Sequence, residues 1–183
     1  MEIFVEKEYK TLLSLAQYNQ LFKVFENGKT IVQTNYYFDN SNYQLRQQGF
    51  MARIRKINNN YTFTLKTPKI DNLTTEHNVP LTNLDINNQE IINILNKFKL
   101  NHDLKIIAWA TTTRTITKDI YGEWCLDKTV FSNGITDYEL EYELNNSKTE
   151  KWEYFLNFLK NHQINYISIE SKVARALNTG SIQ

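Results

Sequence analysis

The 183-residue chain has one cysteine, Cys125, two prolines and five glycines. A lone cysteine excludes an internal disulfide and with it the disulfide-stapled secreted domain; Cys125 reads as a small core filler. Also missing is the basic excess that marks non-specific binders of nucleic acid or membrane, since 21 Lys+Arg stand against 20 Asp+Glu for a formal net charge of +1. Any anion binding must therefore come from local segregation of charge. No uncharged apolar run is long enough to span a bilayer. Met1–Glu6 carries acidic residues where a signal peptide has a basic region and an apolar stretch, so the expectation is a soluble, cytoplasmic protein. Neither G-x-x-x-x-G-K-[ST] nor G-x-G-x-x-G occurs, which excludes a glycine-rich phosphate cradle. His77, His102 and His162 lack Cys or His partners at zinc-ligand spacing.

What the chain has in quantity is aromatics, 11 Tyr and 10 Phe, as suits long strands joined by polar turns. Its length fits one domain over residues 1–183. After a first strand, Ser14 caps a helix to about residue 26, with Leu15, Tyr18, Leu21, Phe22 and Phe25 at helical spacing. Strands follow at 30–38, 51–57, 61–67, 73–81, 104–118, 123–130 and 137–144. Residues 43–48 form a short polar connection, Asn58-Asn59-Asn60 and Asn133-Gly134 mark tight turns, and Asp119 begins the turn at 119–122. Further helices are expected over 87–98, from a Ser147 cap to about residue 162, and over 171–177. Short turns between successive strands imply antiparallel pairing.

Charge and grease are sorted by parity along these strands. Successive side chains of a strand point to opposite faces, so Glu6, Glu8 and Lys10 share one face, while Ile3, Val5, Lys7 and Tyr9 share the other. Arg53 pairs in parity with Arg55, Lys66 with Thr62 and Thr64, Arg114 with Lys118, and Glu123 with Asp127. Over 137–144 the split is complete: Asp137, Glu139, Glu141 and Glu143 against Tyr138, Leu140, Tyr142 and Leu144. One reading is an ordinary half-buried sheet with its charged face in water. The other is a closed antiparallel barrel whose greasy outer face is coated by the amphipathic helices, with Ile3, Val5 and Tyr9 turned towards them, and whose lumen carries both signs of charge.

Such a lumen suits one class of ligand. Clustered Arg and Lys match phosphate oxygens. Carboxylates in the same space would repel a polyphosphate unless a divalent cation bridged the two, so both signs together imply Mg²⁺ or Mn²⁺. Trp109, Trp124 and Trp152 read as packing residues.

The motifs Glu6-x-Glu8-x-Lys10, Asn35-Tyr36-Tyr37-Phe38-Asp39, Ala52-Arg53-Ile54-Arg55, Thr64-Leu65-Lys66-Thr67-Pro68, Leu126-Asp127-Lys128, Tyr138 to Glu143, and Ser171-Lys172-Val173-Ala174-Arg175 occur in this order. In them the chain resembles the CYTH domain proteins, also called triphosphate tunnel metalloenzymes, nearly end to end, and most of all their small single-domain bacterial branch. The resemblance implies an α+β fold, a closed eight-stranded antiparallel β-barrel forming a tunnel, with covering helices. It implies metal held by Glu6 and Glu8 with two of Glu139, Glu141 and Glu143; spacing leaves open which two, because all three share a face. Phosphates would be gripped by Lys10, Arg53, Arg55, Lys66, Arg114 and Lys172, with Arg175 assisting, and Glu6, Glu8, Lys10 and Lys172 would be catalytic. Glu76 and Asp127 are further lumen residues.

The activity this implies is divalent-metal-dependent hydrolysis of a small-molecule triphosphate, with inorganic triphosphate first and no nucleic-acid or membrane partner. A class IV adenylate cyclase, a thiamine triphosphatase, and a polyphosphate- or nucleotide-binding module without turnover are the alternatives.

Overall fold

A computed structural model of the chain describes residues 2–70 and 73–178. In chain order its elements are β1 (Glu2–Glu6), β2 (Glu8–Leu13), α1 (Leu15–Val24), β3 (Lys29–Asp39), α2 (Gln44–Gln47), β4 (Met51–Ile57), β5 (Asn60–Lys66), β6 (Thr74–Leu81), α3 (Gln89–Lys97), β7 (Lys105–Lys118), β8 (Gly122–Phe131), β9 (Thr136–Leu144), α4 (Trp152–Asn161) and α5 (Lys172–Asn178). The strands form one curled antiparallel sheet in the order β1-β6-β5-β4-β3-β7-β8-β9-β2.

The two ends of that order belong to one extended stretch. β1 pairs with β6 in the register Glu2↔Asn78 to Glu6↔Thr74, and β2 pairs with β9 from Glu8↔Glu143 to Leu13↔Tyr138. Lys7 lies between them, its carbonyl accepting from Leu144 N at 3.0 Å. The sheet is thus brought round on itself by a strand that changes partner at Lys7. There are nine strands where eight were expected, because the first is divided at this handover.

The hydrophobic cores lie outside the sheet. α3 packs Ile91, Ile94 and Leu95 on Ile54, Phe63, Leu65 and Val79 of the central strands. α1 and α4 bring Tyr18, Leu21, Phe155 and Leu159 onto Trp124, Leu126, Leu140 and Tyr142. Each such side chain leaving water contributes about 1.5–3 kcal/mol, so the apolar parity of the strands is pinned outwards and the charged parity is forced in. Trp124 stacks on Tyr142 and Phe158, each with centroids 4.0 Å away, and is a packing residue as expected. α5 is different: Ala176 packs against Tyr37, Ala108, Ala110 and Phe131, residues of the inner parity, so this helix closes one end of the barrel. The small side chains at 108 and 110 leave room for it.

Several local expectations are corrected. The connection at 43–48 contains the helical turn α2, because the buried Asp39 carboxylate accepts from Leu45 N and Arg46 N, each at 3.0 Å. α4 begins at Trp152, not after Ser147: Glu150 supplies the acceptor for Trp152 N at 3.0 Å and is itself held by Lys7 at 2.7 Å and by the Tyr9 hydroxyl. Tyr9 meets α4 through Trp152 and Phe155, whereas Ile3 and Val5 are half exposed and do not belong to the cores that the helices cover. Gly134 adopts φ +84 and Asn58 φ 53, as their turns require. Asp119 does more than turn the chain, accepting from Trp124 Nε1 and the Tyr142 and Tyr154 hydroxyls as well as from Tyr121 N. No helix among the described residues is long and apolar enough to cross a membrane.

Candidate functional site

The inward parity of the strands encloses a cavity of about 540 Å³. Its wall carries Glu6, Glu8 and Lys10 from β1 and β2, Arg53 and Arg55 from β4, Lys66 from β5, Glu76 from β6, Arg114 from β7, Glu141 and Glu143 from β9, and Lys172 from α5. Residues distant in sequence meet here because register sets them side by side: Lys10 lies opposite Glu141, Glu8 opposite Glu143, Lys66 opposite Glu76, and Arg114 opposite Asp127.

The charges fall into three groups. The first is a buried lattice around Asp127, Glu139 and Glu141. Arg114 donates to Asp127 from Nε at 2.8 Å and from Nη2 at 2.7 Å, and Nη2 also reaches Glu141. Lys172 lies 2.8 Å from Asp127 and 2.9 Å from Glu141, and also bonds Glu139. Arg175 bonds Asp137 and Glu139. Asp127 and Glu139 are fully buried and, like Arg175, stand behind the cavity wall instead of lining it. Burial and the neighbouring Glu141 push the Glu139 carboxyl up to about 8, against the pull of Lys172, whereas Lys172 and Arg114 overcome burial to hold Glu141 well below the usual carboxylate range.

The second group is Glu6, Glu8 and Glu143. Carboxylate oxygens from all three lie within 4.8 Å of one another on the cavity side. Lys66 bonds Glu6, Lys10 bonds Glu8, and Arg114 Nη1 lies 2.9 Å from Glu143. Burial pushes Glu6 up to about 7, helped by Glu8 and Glu76 and opposed by Lys66. Three converging carboxylates are the donor set of a hard divalent cation. Burial and the like charges of Glu8 and Glu76 disfavour the ionised form of Glu6, a penalty that a bound cation would offset.

The third group is the arginine pair. Arg53 reaches Glu76 only at 3.8 Å, and its buried Nε has no hydrogen-bond partner. Arg55 donates from Nε to Asn35 Oδ1 at 3.0 Å; among the described residues no ion pair to a carboxylate is seen for it. Burial, with the like charges of Arg53 and Arg114, pulls the Arg55 guanidinium down to about 9. Glu76, by contrast, is carried down to about 2 against its burial by Arg53 and Lys66.

The residues expected in the lumen are therefore gathered around one space, with Glu139, Asp127 and Arg175 set one layer back. The sequence reading missed Asn35, Gln33 and Tyr37, buried residues of β3 that line the cavity. Their i, i+2, i+4 spacing on one parity was the available signal, masked by their lack of charge. Gln33 Oε1 is buried and without a hydrogen-bond partner.

The sequence pattern that defines the CYTH domain matches residues 5–177. The chain is 26% identical over 147 residues to the protein named "Putative triphosphatase YjbK" from Bacillus subtilis (strain 168), covering 76% of this chain and 77% of that one. Among solved structures, a Bacillus halodurans protein described as a "putative adenylate cyclase" is 29% identical with a TM-score of 0.85, over 96% of this chain and 98% of that one. "Putative adenylyl cyclase HpAC1" from Hippeastrum, described as having a dominant triphosphatase activity, is 20% identical with a TM-score of 0.74 over 95% of each chain, a likeness of fold.

Proposed function

The chain belongs to the CYTH domain family, and from that premise we propose that it hydrolyses triphosphate compounds with the help of a divalent cation, inorganic triphosphate being the first substrate to test. The observation that carries this reading is Arg55. A guanidinium in a buried setting, facing a cavity, with no ion pair to a carboxylate among the described residues and pulled down to about 9 by burial and the like charges of Arg53 and Arg114, is a positive charge awaiting an anion. Arg53 beside it also has donor capacity to spare, and a phosphoryl group offers several oxygens to two adjacent guanidinium forks.

Glu6, Glu8 and Glu143 would hold Mg²⁺ or Mn²⁺. The cation would polarise a phosphoryl oxygen and offset charge between the carboxylates and the substrate. The chain's own groups would do the rest. Arg53, Arg55 and Lys66 bind and orient the phosphates, Lys10 and Lys172 stand on the opposite wall, and a glutamate of the acidic cluster orients the attacking water and takes its proton. Attack at a terminal phosphorus forms the new P–O bond and breaks the bridging one, releasing phosphate and diphosphate, with the cationic wall stabilising charge on the transferred group.

Release of phosphate from tripolyphosphate by purified protein with Mg²⁺ or Mn²⁺ tests the proposal; no release with either metal would sink it. An adenylate cyclase is the second reading, favoured by the description of the Bacillus halodurans structure, and formation of cyclic AMP from ATP distinguishes it.

A further inference from the structure

Among the described residues the barrel wall has a gap beside β2. One edge of β2 pairs with β9. Its other edge is met by the segment after α4, with Leu12 N donating to Ile167 O at 3.3 Å and Ile167 N to Thr11 Oγ1 at 2.8 Å. Nearer the handover at Lys7 lies a second cavity, of about 810 Å³, lined by Lys7, Glu8, Tyr9 and Lys10 together. Neighbouring side chains on a strand point to opposite sides, so a cavity touching all four passes around the strand's free edge. It shares Glu8, Lys10, Lys69 and Ile169 with the tunnel. The second cavity is a side opening of the first.

Its chemistry differs from the tunnel's. The outer wall is aromatic: Trp152 stands edge-on to Tyr9 at 5.4 Å and to Tyr166 at 5.0 Å, which fixes the indole in a corner of rings. Of its lysines, Lys7 is engaged by Glu150 and Lys10 by Glu8, Lys151 sits over the Tyr121 ring at 3.7 Å, and Lys69 stands where the opening meets the tunnel. Further phosphates would meet few free cations there and would be repelled by Glu150 and Glu153. A planar, uncharged ring would meet aromatic surface.

We propose that this side opening is the binding site for the heterocyclic base of a nucleoside triphosphate whose phosphates occupy the tunnel, with Trp152 and Tyr166 as the ring's contacts. The proposal rests on the triphosphate reading of the tunnel.

Calorimetric titration with two ligands, tripolyphosphate and the β,γ-imido analogue of ATP, in the presence of Mg²⁺, tests it on wild type, Tyr166→Ala and Trp152→Ala. Loss of a base–aromatic contact weakens binding by about ten-fold, so the nucleotide's affinity falls by that factor in each variant while tripolyphosphate stays within about two-fold. Tyr166 is 43% exposed, so its replacement leaves the fold intact; Trp152 also packs on Phe155, and a melting curve accompanies that variant. Unchanged nucleotide affinity in Tyr166→Ala, or an equal loss for both ligands, overturns the site. Wild type that binds tripolyphosphate but not the nucleotide overturns it too and leaves the tunnel reading standing. Wild type that binds neither removes both.

Discussion

Arg55 and Asn35 face each other in the β3–β4 register, and the arginine Nε donates to the asparagine Oδ1 at 3.0 Å. A neutral amide orients the guanidinium without neutralising it. On the same wall Lys10, Arg53, Lys66, Arg114 and Lys172 each have a carboxylate within 4.0 Å. The arrangement spends folding stability on a charge left open to a ligand.

Arg55→Met should therefore separate stability from binding. Removing a desolvated, unpaired charge raises the unfolding free energy by about 1 kcal/mol or more, while affinity for tripolyphosphate falls at least ten-fold, as loss of a charged hydrogen-bonding partner implies. Urea denaturation and calorimetry check the two halves, and a variant less stable than wild type would contradict this account of Arg55.

The late glutamates should divide their roles by layer. Glu143 stands with Glu6 and Glu8, and Glu139 with Asp127 and Glu141. Glu143→Gln should weaken Mn²⁺ binding by about ten-fold or more, the effect of losing one charged ligand, and Glu139→Gln by much less. Titration calorimetry with Mn²⁺ measures both; the reverse order would move the cation to the inner layer.

Lys172→Met should be among the most damaging changes to stability. Its ammonium lies against Asp127, Glu139 and Glu141, and removing one partner from a buried charge cluster costs about 3–5 kcal/mol. A shift of the denaturation midpoint smaller than that of Lys118→Met, whose side chain is 70% exposed, would refute the idea that the lattice holds α5 in place.

The protein without metal should lose stability as pH rises from about 6.5 to 8. Glu6 and Glu139 keep their protons up to about 7 and 8 in the folded chain, against 4.5 as the ordinary value. Above 4.5 the unfolded chain has shed those protons and the folded chain has not, so raising pH favours unfolding until both have titrated. The buried His77 acts in the opposite sense but only below about its ordinary 6.5. Thermal melts in chelator should thus fall by a few degrees over that window, and a melting temperature that climbs would reverse the assignment.

Parity made most of the tunnel legible. Arg53 with Arg55, and Glu139 with Glu141 and Glu143, declared a face by alternation alone, and outward packing of Leu126, Leu140 and Ile54 then decided which face was inside. What alternation lacks is depth: Glu139 and Glu143 share a face, yet one is fully buried and the other is a cavity residue, because Lys172 and Arg175 of α5 cover Glu139, while Glu143 meets Arg114 of β7 on the cavity side. Lys7 was equally opaque, since nothing in Val5 to Tyr9 marks a change of partner; the break comes from strands β6 and β9, far along the chain. The start of α4 was misjudged because Ser147 is a good cap by composition, while Glu150, fixed by Lys7 and Tyr9, is the acceptor in place.

The handover at Lys7 also orders events in time. During synthesis the stretch that begins the sheet leaves the ribosome long before its partners, and Glu8 has no ladder neighbour until Glu143 has been made. Pairings so distant in sequence are slow to form. The three carboxylates of the acidic cluster therefore come together only after β9 has been made, and the candidate cation site forms later than the β3–β6 part of the sheet.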